Sequence, residues 1–205
     1  MKLVIFAATG GTGRELVRQA LARGHDVVAV ARDPRRIEIA GGSKLQRVAA
    51  DVRDPESVIA ALGRGATVLS ALGTAGSNTP GLLRAGAQAL LAAQPQRLLT
   101  LGAYGSGQSR RAAGWATRAI LSFKGDELVD KVAADEAVLL AGGTVFHAGP
   151  LSNRPLSVDR RTVGLSQAPR RFFPAFVSRA TVAAAMLDET ESPRFSGQIA
   201  IPLER

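Results

Sequence analysis

The chain has 205 residues, of which 46% are hydrophobic, and a formal net charge of +9. This length suits one domain with a full apolar core. The absence of cysteine excludes disulfides, thiolate metal sites and a Cys nucleophile, and with only His25 and His147 we predict no metal site.

Apolar runs alternate with helical patterns almost to the end of the chain. The predicted strands are Lys2–Ala7, Asp26–Ala31, Leu45–Ala49, Thr67–Ala71, Arg97–Leu101, Thr144–His147 and Gln198–Pro202. The predicted helices are Gly13–Arg23, Pro34–Ile39, Pro55–Leu62, Pro80–Gln94, Asp126–Ala141 and Ser178–Glu189. Most of the strands lack polar alternation, as strands covered on both faces do. The order predicts a doubly wound parallel sheet, that is, a three-layer α/β/α Rossmann fold over residues 1–205, with small substrate-side elements at about 150–178.

Three helices share a predicted start signal. Asp33-Pro34, Asp54-Pro55 and Thr79-Pro80 each place a side-chain acceptor at the N-cap and proline at the first helical position. Helix ends are predicted at glycines, namely Gly24, Gly63 and Gly142-Gly143.

The first strand runs into a glycine-rich turn, Val4-Ile-Phe-Ala-Ala-Thr-Gly-Gly-Thr-Gly13. A strand that enters such a turn and then a helix N-terminus makes a site for a dinucleotide pyrophosphate. The first glycine of the usual fingerprint is Ala7, so we expect a backbone angle there that tolerates a Cβ. An ordinary glycine-rich turn without a ligand is the alternative.

The end of the second strand predicts which dinucleotide is bound. Arg32 falls where NAD-binding units place an acid and NADP-binding units place arginine. Asp33 is followed by Pro34, which suggests that its carboxylate caps the next turn. Arg32, assisted by Arg35 or Arg36, is therefore interpreted as a clamp for the 2′-phosphate of NADP(H). The alternative is a solvated basic face.

Several motifs resemble the atypical short-chain dehydrogenase/reductase superfamily, and they span essentially the whole chain. The glycine turn resembles its Gly-Ala-Thr-Gly-x-x-Gly turn. Further likenesses are Ala49-Ala-Asp-Val-Arg-Asp-Pro-Glu-Ser57, Val68-Leu-Ser-Ala-Leu-Gly-Thr74, the Asp130-Lys131-x-Ala-x-Asp-Glu136 helix with the strand that ends at Pro150, and Val177-Ser-Arg-Ala-Thr-Val-Ala183. The chain is most similar to the NAD(P)H-binding group that includes NmrA-like proteins and the flavin reductase/biliverdin-IXβ reductase type.

This resemblance implies a set of cofactor-binding residues. The pyrophosphate would lie on the turn, the 2′-phosphate on Arg32, adenine beside Asp51 and Val52, and the ribose along the loop after the fourth strand. The complete set is Thr9, Gly10, Gly11, Thr12, Gly13, Arg32, Arg35, Asp51, Val52, Ala71, Leu72, Gly73 and Lys131.

The resemblance implies a less usual catalytic apparatus. Many relatives use a Tyr-x-x-x-Lys pair with a serine on the neighbouring strand, whereas Lys131 here is preceded by Glu127, and the fifth strand ends in Leu101-Gly102-Ala103. Lys131 and Tyr104 are the candidate catalytic residues. The alternative for Lys131 is a plain ion pair with Glu127, one turn earlier on the same helix. The alternative for Tyr104 is an ordinary loop aromatic. His147 stands where relatives often carry arginine, which makes it a candidate site residue. The alternative is that it is a hydrogen-bonded histidine of the core.

The acceptor is predicted to be small and conjugated, of the flavin, quinone or tetrapyrrole type, because such acceptors need orientation more than a dedicated acid. Two segments would wall it: Gly105–Lys124, with Trp115 and Phe123, and Leu151–Phe176, with Asn153-Arg154 and Phe172-Phe173. A non-catalytic NADP(H) sensor of the NmrA kind is the first alternative, and a nucleotide-sugar epimerase or isomerase is the second.

Location and partners are predicted from the charge pattern and the N-terminus. Arginines are scattered or paired, with no block of five or six, so we expect no nucleic-acid partner. No apolar segment of signal or membrane length precedes the glycine turn, and we expect a cytoplasmic monomer or homodimer without membrane contact.

Overall fold

The computed structural model describes residues 1–63, 65–74, 79–114, 125–169 and 175–204. Its strands in these ranges are β1 Lys2–Phe6, β2 Asp26–Ala31, β3 Leu45–Ala49, β4 Thr67–Ser70, β5 Arg97–Ala103, β6 Thr144–Ala148, β7 Leu151–Ser152, β8 Arg160–Gly164, β9 Val177–Ser178 and β10 Ile199–Glu204. Its α-helices there are α1 Gly11–Ala22, α2 Pro55–Leu62, α3 Leu82–Ala92, α4 Gly125–Leu140 and α5 Arg179–Glu191.

The central sheet has eight strands in the order β3-β2-β1-β4-β5-β6-β10-β8. Every neighbouring pair from β3 to β10 is parallel, and β8 is antiparallel to β10. The chain reverses direction across the sheet between β1 and β4. Ligands of doubly wound sheets bind beside this switch, at the carboxyl ends of the strands.

Helices cover both faces of the sheet, as the unbroken apolar strands predict. Leu3 and Ile5 of β1 belong to the core cluster under α1 and α5. Val4 and Phe6 belong to the core cluster under α2, α3 and α4. The alternation of one strand thus supplies two cores, and the prediction of a three-layer Rossmann fold is confirmed.

The predicted helix Pro34–Ile39 is wrong. Only Pro34–Arg36 forms a single 3₁₀ turn, which Asp33 caps as predicted by accepting the Arg35 N–H. The guanidinium of Arg47 on β3 donates to the carbonyls of Ile37 and Ile39, at 3.0 and 2.6 Å. Those carbonyls are thereby used by a side chain from another strand, and the chain stays extended.

The predicted start of α3 is also wrong. The helix begins at Leu82 rather than Pro80, after Gly81 in a left-handed conformation. The first free N–H groups, those of Leu83 and Arg84, donate to the carboxylate of Asp130 on α4 at 2.9 and 3.1 Å. The cap therefore comes from a distant helix, whereas Asp54 caps α2 locally as predicted.

The segment at about 150–178 contributes more regular structure than the sequence predicted. β7 and β9 form a separate two-stranded parallel pair, and β8 closes the edge of the main sheet. In the ranges that the structure describes, no helix combines the length and apolar character needed to cross a bilayer.

Candidate functional site

The glycine turn lies at the carboxyl end of β1, beside the switch in strand order. The Gly10 N–H donates to the Ala7 carbonyl at 2.9 Å and closes the turn. α1 begins at Gly11, and no side chain caps it. The amides of its first turn have no earlier carbonyl to bond, so they are available to an anion.

Close packing of α1 on β1 depends on Gly13. A Cβ at this position would lie 2.1 Å from the Ala7 oxygen and 2.8 Å from the Ala7 carbonyl carbon, which are backbone atoms. The helix N-terminus can approach the strand end this closely only because residue 13 has no side chain. Close helix–strand packing is the role of the third glycine in a dinucleotide-binding turn.

The backbone angle predicted for Ala7 in the same turn is wrong. Its φ is +57°, in the left-handed region, rather than an angle that tolerates a Cβ without cost. An L-residue in this region is strained by about 1–2 kcal/mol. The turn thus keeps the geometry of a glycine fingerprint although its first residue is alanine.

We therefore expect Ala7→Gly to stabilise the protein. Relief of strain exceeds the extra entropy that glycine loses on folding, so the net gain is about 0.5–1 kcal/mol. Urea denaturation measures it. Ala60→Gly, at an exposed position inside α2, has no strain to relieve and is expected to lose about 1 kcal/mol. Equal losses for the two variants would contradict the strain at Ala7.

Arg179, the first residue of α5, lies against the glycine turn. Its Cδ and Nε are 2.6 and 2.7 Å from the point that a Cβ on Gly11 would occupy. Its Nη1 donates to Asn153 Oδ1 at 2.7 Å, which holds the guanidinium in place. No sequence motif assigns a cofactor contact to Arg179, because only the packing of α5 beside α1 brings it to the turn.

A second arginine, Arg32, is exposed at the carboxyl end of β2. Asp33 does not neutralise it, because its carboxylate is bonded to Arg35, with Nε–Oδ1 at 2.9 Å and Nη2–Oδ2 at 3.1 Å. These bonds lower the pKa of Asp33, and the Arg35 side chain is 89% exposed. Among the described residues Arg32 has no hydrogen-bond or ion-pair partner, so its guanidinium is available to an anion.

Asp51 lies beyond the end of β3, where the resemblance places adenine. Its carboxylate accepts from Arg53 Nε and Nη2 at 3.2 and 2.8 Å. These bonds lower the pKa of Asp51 to about 2, and the charge of Arg32 adds a smaller effect in the same direction. Asp51 is therefore an anion at neutral pH, while Val52 beside it is buried in the core.

The loop after β4 lies at the carboxyl ends of the parallel strands, like the glycine turn. The Ala71 N–H donates to the Phe6 carbonyl at 3.3 Å, which ties this loop to β1. Leu72 is half-buried against Gly86 of α3, and Gly73 is exposed. The Thr74 hydroxyl donates to the Glu127 carboxylate and links the loop to the first turns of α4.

Lys131 lines a cleft between α3, α4 and the sheet. Its walls include Leu72, the hydroxyl residues Ser70 and Thr100, and Asp135, one turn after Lys131 on α4. The cleft thus joins the loop after β4 to the helix that carries the Lys131 candidate.

Tyr104 lies in a different environment from Lys131. Its ring is 9% exposed and packs with Ile199, Ile201 and Leu203 of β10. Its hydroxyl donates to the Ala112 carbonyl at 2.9 Å. It lines a separate cavity, with Gly149 and Pro169 among the other walls. These contacts favour a packing role, and the structure does not bring the two catalytic candidates together in the described cavities.

His147 is 1% exposed and hydrogen-bonded on both ring nitrogens, as the core-histidine interpretation requires. Nδ1 is 2.7 Å from Ser109 Oγ, and Nε2 is 3.1 Å from Asp135 Oδ2. Asp135 also lines the cleft with Lys131, so this histidine is one side chain away from it. Trp115, Phe123, Phe172 and Phe173, the predicted walls of the acceptor site, lie outside the described residues.

A sequence model of the NAD(P)H-binding family matches residues 7–193. The chain belongs to this NAD(P)H-binding family. The family takes a nicotinamide cofactor and is of the oxidoreductase type. The predicted resemblance of this chain to the atypical short-chain dehydrogenases/reductases is thereby confirmed.

Solved structures confirm the Rossmann fold. The anaerobilin reductase ChuY from Escherichia coli O157:H7 superposes with a TM-score of 0.80 at 22% identity, covering 100% of this chain and 97% of that one. The oxidoreductase ylbE from Lactococcus lactis gives 0.80 at 19% identity, with 100% and 91% covered. A short-chain dehydrogenase/reductase from Veillonella parvula gives 0.76 at 15% identity, with 99% and 94% covered.

The residues at the switch point fit the family's cofactor. The uncapped start of α1 and the guanidinium of Arg179 suit a pyrophosphate. The missing Cβ at Gly13 allows the necessary close approach of helix and strand.

Proposed function

We propose that this protein is an NADP(H)-dependent reductase of a small conjugated acceptor of the flavin, quinone or tetrapyrrole type. One observation carries the choice of NADP(H) over NAD(H). At the end of β2 the Asp33 carboxylate is paired with Arg35, whereas Arg32 has no hydrogen-bond or ion-pair partner among the described residues. A cation at this position favours a 2′-phosphate, while a ribose hydroxyl needs a free carboxylate.

The residues of the site would divide the binding of the cofactor among them. The first turn of α1 and Arg179 would hold the pyrophosphate, and Arg32 the 2′-phosphate. Lys131, on the wall of the cleft, would hold the nicotinamide ribose. When bound, NADPH supplies a hydride from its nicotinamide ring.

A conjugated acceptor agrees with the side chains at the cleft. Glu127 and Gly102 stand where relatives carry the proton-donating tyrosine and the serine, and Tyr104 is bonded to Ala112. An extended conjugated system accepts a hydride readily once it is oriented, so binding and exclusion of water would promote the hydride transfer itself. That ChuY is an anaerobilin reductase supports a reductase.

NADPH oxidation by the purified protein tests the proposal. FMN, FAD, quinones and redox dyes are offered as acceptors, and the loss of NADPH absorbance is followed. We expect turnover well above the rate without protein for at least one acceptor, and a lower KM for NADPH than for NADH.

A non-catalytic NADP(H) sensor is the second candidate, favoured by the absence of the tyrosine and the serine. It predicts tight NADPH binding, measured by calorimetry, with no oxidation above background for any acceptor of the panel. That result would replace the reductase proposal. On either function we expect a small-molecule ligand and no nucleic-acid partner.

The position of Arg179 predicts that its removal weakens the binding of NADPH and NADH equally. Because the pyrophosphate is common to both, Arg179→Ala should weaken NADPH and NADH binding by the same factor, about tenfold for one charge-assisted contact. Asn153→Ala, which removes only the support of the guanidinium, should give a smaller equal loss. Calorimetric titration of both cofactors measures the factors, and unchanged affinities would place Arg179 outside the site.

A further inference from the structure

We propose that Asp135 and His147 form a buried acid pair that supplies the proton when an acceptor is reduced at the Lys131 cleft. The inference rests on the proposed function. The resemblance leaves both side chains without a role, and their hydrogen bonds determine how many protons they carry.

The hydroxyl of Ser109 fixes the proton on one side of the imidazole. Ser109 Oγ accepts the Gly105 N–H at 2.8 Å and lies 2.9 Å from the Ser106 carbonyl oxygen. A carbonyl can only accept, so the single hydroxyl proton is directed to Ser106. With the hydroxyl proton on that bond, His147 Nδ1, 2.7 Å from the same Oγ, donates and carries a proton. If the hydroxyl proton were turned to Nδ1 instead, the ring would carry one proton, on Nε2.

A second proton follows from the contact on the other side of the ring. His147 Nε2 and Asp135 Oδ2 are 3.1 Å apart, and two unprotonated acceptors would repel each other there. One proton must therefore lie between them, on the nitrogen or on the oxygen. The pair is neutral as a whole and holds one acidic proton in a buried site.

Gly102 makes room for this pair. A Cβ on Gly102 would lie 2.7 Å from His147 Cδ2 and 2.9 Å from both His147 Nε2 and Asp135 Oδ2. The strand end that carries serine in relatives has no side chain here, and the imidazole and carboxylate occupy that volume. The pair thus stands where the resemblance would place a catalytic hydroxyl.

Asp135 connects the pair to the cleft, which it lines together with Lys131, Ser70 and Thr100. Thr100 Oγ1 is buried and has no hydrogen-bond partner among the described residues. A buried hydroxyl of this kind marks a place where a polar ligand group or water binds. A proton leaving Asp135 therefore has polar groups along its way out.

The balance of the reaction requires such a proton for some acceptors and not for others. Reduction of a quinone to a hydroquinone adds a hydride from the reduced nicotinamide and one proton, which leaves the Asp135–His147 pair. The nicotinamide is oxidised, and the pair regains its proton from water. A cationic phenazinium dye becomes neutral on accepting the hydride alone, so it needs no proton from the protein.

The test compares these two acceptors in wild type and variants. Asp135→Asn keeps the shape of the side chain but holds no acidic proton. We expect kcat with a quinone to fall about 100-fold or more, with kcat for the phenazinium and the Kd for NADPH nearly unchanged. Gly102→Ala, which displaces the pair, should show the same selective loss.

A matched control lies on the same helix. Asp130 is as buried as Asp135, 8% against 7% exposed, but it caps α3. Asp130→Asn should lower stability without changing the ratio of quinone to phenazinium rates. If Asp135→Asn slows both acceptors equally, or neither, the proposal is overturned while the reductase stands. A wild type that binds NADPH but reduces no acceptor overturns both.

The ligand-free protein supplies a readout that does not depend on turnover. NMR of isotope-labelled histidine should show His147 with Nδ1 protonated and a second, slowly exchanging proton shared with Asp135. The signals are assigned by their loss in His147→Gln. An imidazole that carries a single proton, on Nε2, would contradict the acid pair.

Discussion

Gly13→Ala is expected to destabilise the protein more than any other single methyl addition in the glycine turn. The new Cβ would stand 2.1 Å from the Ala7 oxygen, and neither backbone can move without separating α1 from β1. Alanine is a better helix former by about 1 kcal/mol, but a backbone clash of this kind costs about 3 kcal/mol or more. We expect a net loss of about 2 kcal/mol or more, measured by urea denaturation.

The same substitution should abolish cofactor binding, since the amides of the first turn of α1 would be displaced from the strand end. Gly10→Ala is the matched control. Its φ is −73° and its Cβ would lie 3.2 Å from the same oxygen, so a small shift accommodates it. A Gly13→Ala protein as stable as the Gly10→Ala protein would show that close helix–strand packing is not needed here.

Arg32→Ala is expected to weaken NADPH binding far more than NADH binding. A charge-assisted hydrogen bond to phosphate contributes about 1.5–3 kcal/mol, which corresponds to about 10- to 150-fold in Kd. NADH has no 2′-phosphate and should lose little. Calorimetric titration of both cofactors with wild type and variant measures the difference.

Arg18→Ala controls for the loss of one positive charge. Arg18 is exposed on α1 and pairs with Glu15 at 2.7 Å, away from the end of β2. It should change both affinities slightly and equally. Equal losses for NADPH and NADH in Arg32→Ala would mean that the 2′-phosphate is held elsewhere. Together with Arg179→Ala, these variants separate the phosphate that defines NADP from the pyrophosphate that both cofactors share.

Features whose cause is local in the chain could be predicted from the sequence. The cap of α2 is a contact between Asp54 and amides two and three residues later. The stop of α1 is a glycine with φ of +83° at position 24. The apolar strands likewise depend on neighbours in sequence, and the structure confirms them.

Features decided by a distant side chain could not be predicted. Arg47 of β3 keeps Ile37 and Ile39 out of a helix, and Asp130 of α4 replaces the predicted cap of α3. The candidate site shows the same division. The glycine turn and Arg32 are local signals at strand ends, whereas Arg179 reaches the turn only because α5 packs beside α1.

The sequence by itself determined the doubly wound order of strands and helices, the glycine turn after β1 and the cation at the end of β2, because apolar periodicity, glycine spacing and strand ends are properties of short segments. Only the tertiary structure decided that Ala7 is strained, that Tyr104 and Lys131 lie in separate cavities, and that His147, Asp135 and Gly102 meet. Those facts depend on which elements are neighbours in the sheet and its layers. Periodicity along the chain predicts that an element is covered but not which side chain covers it.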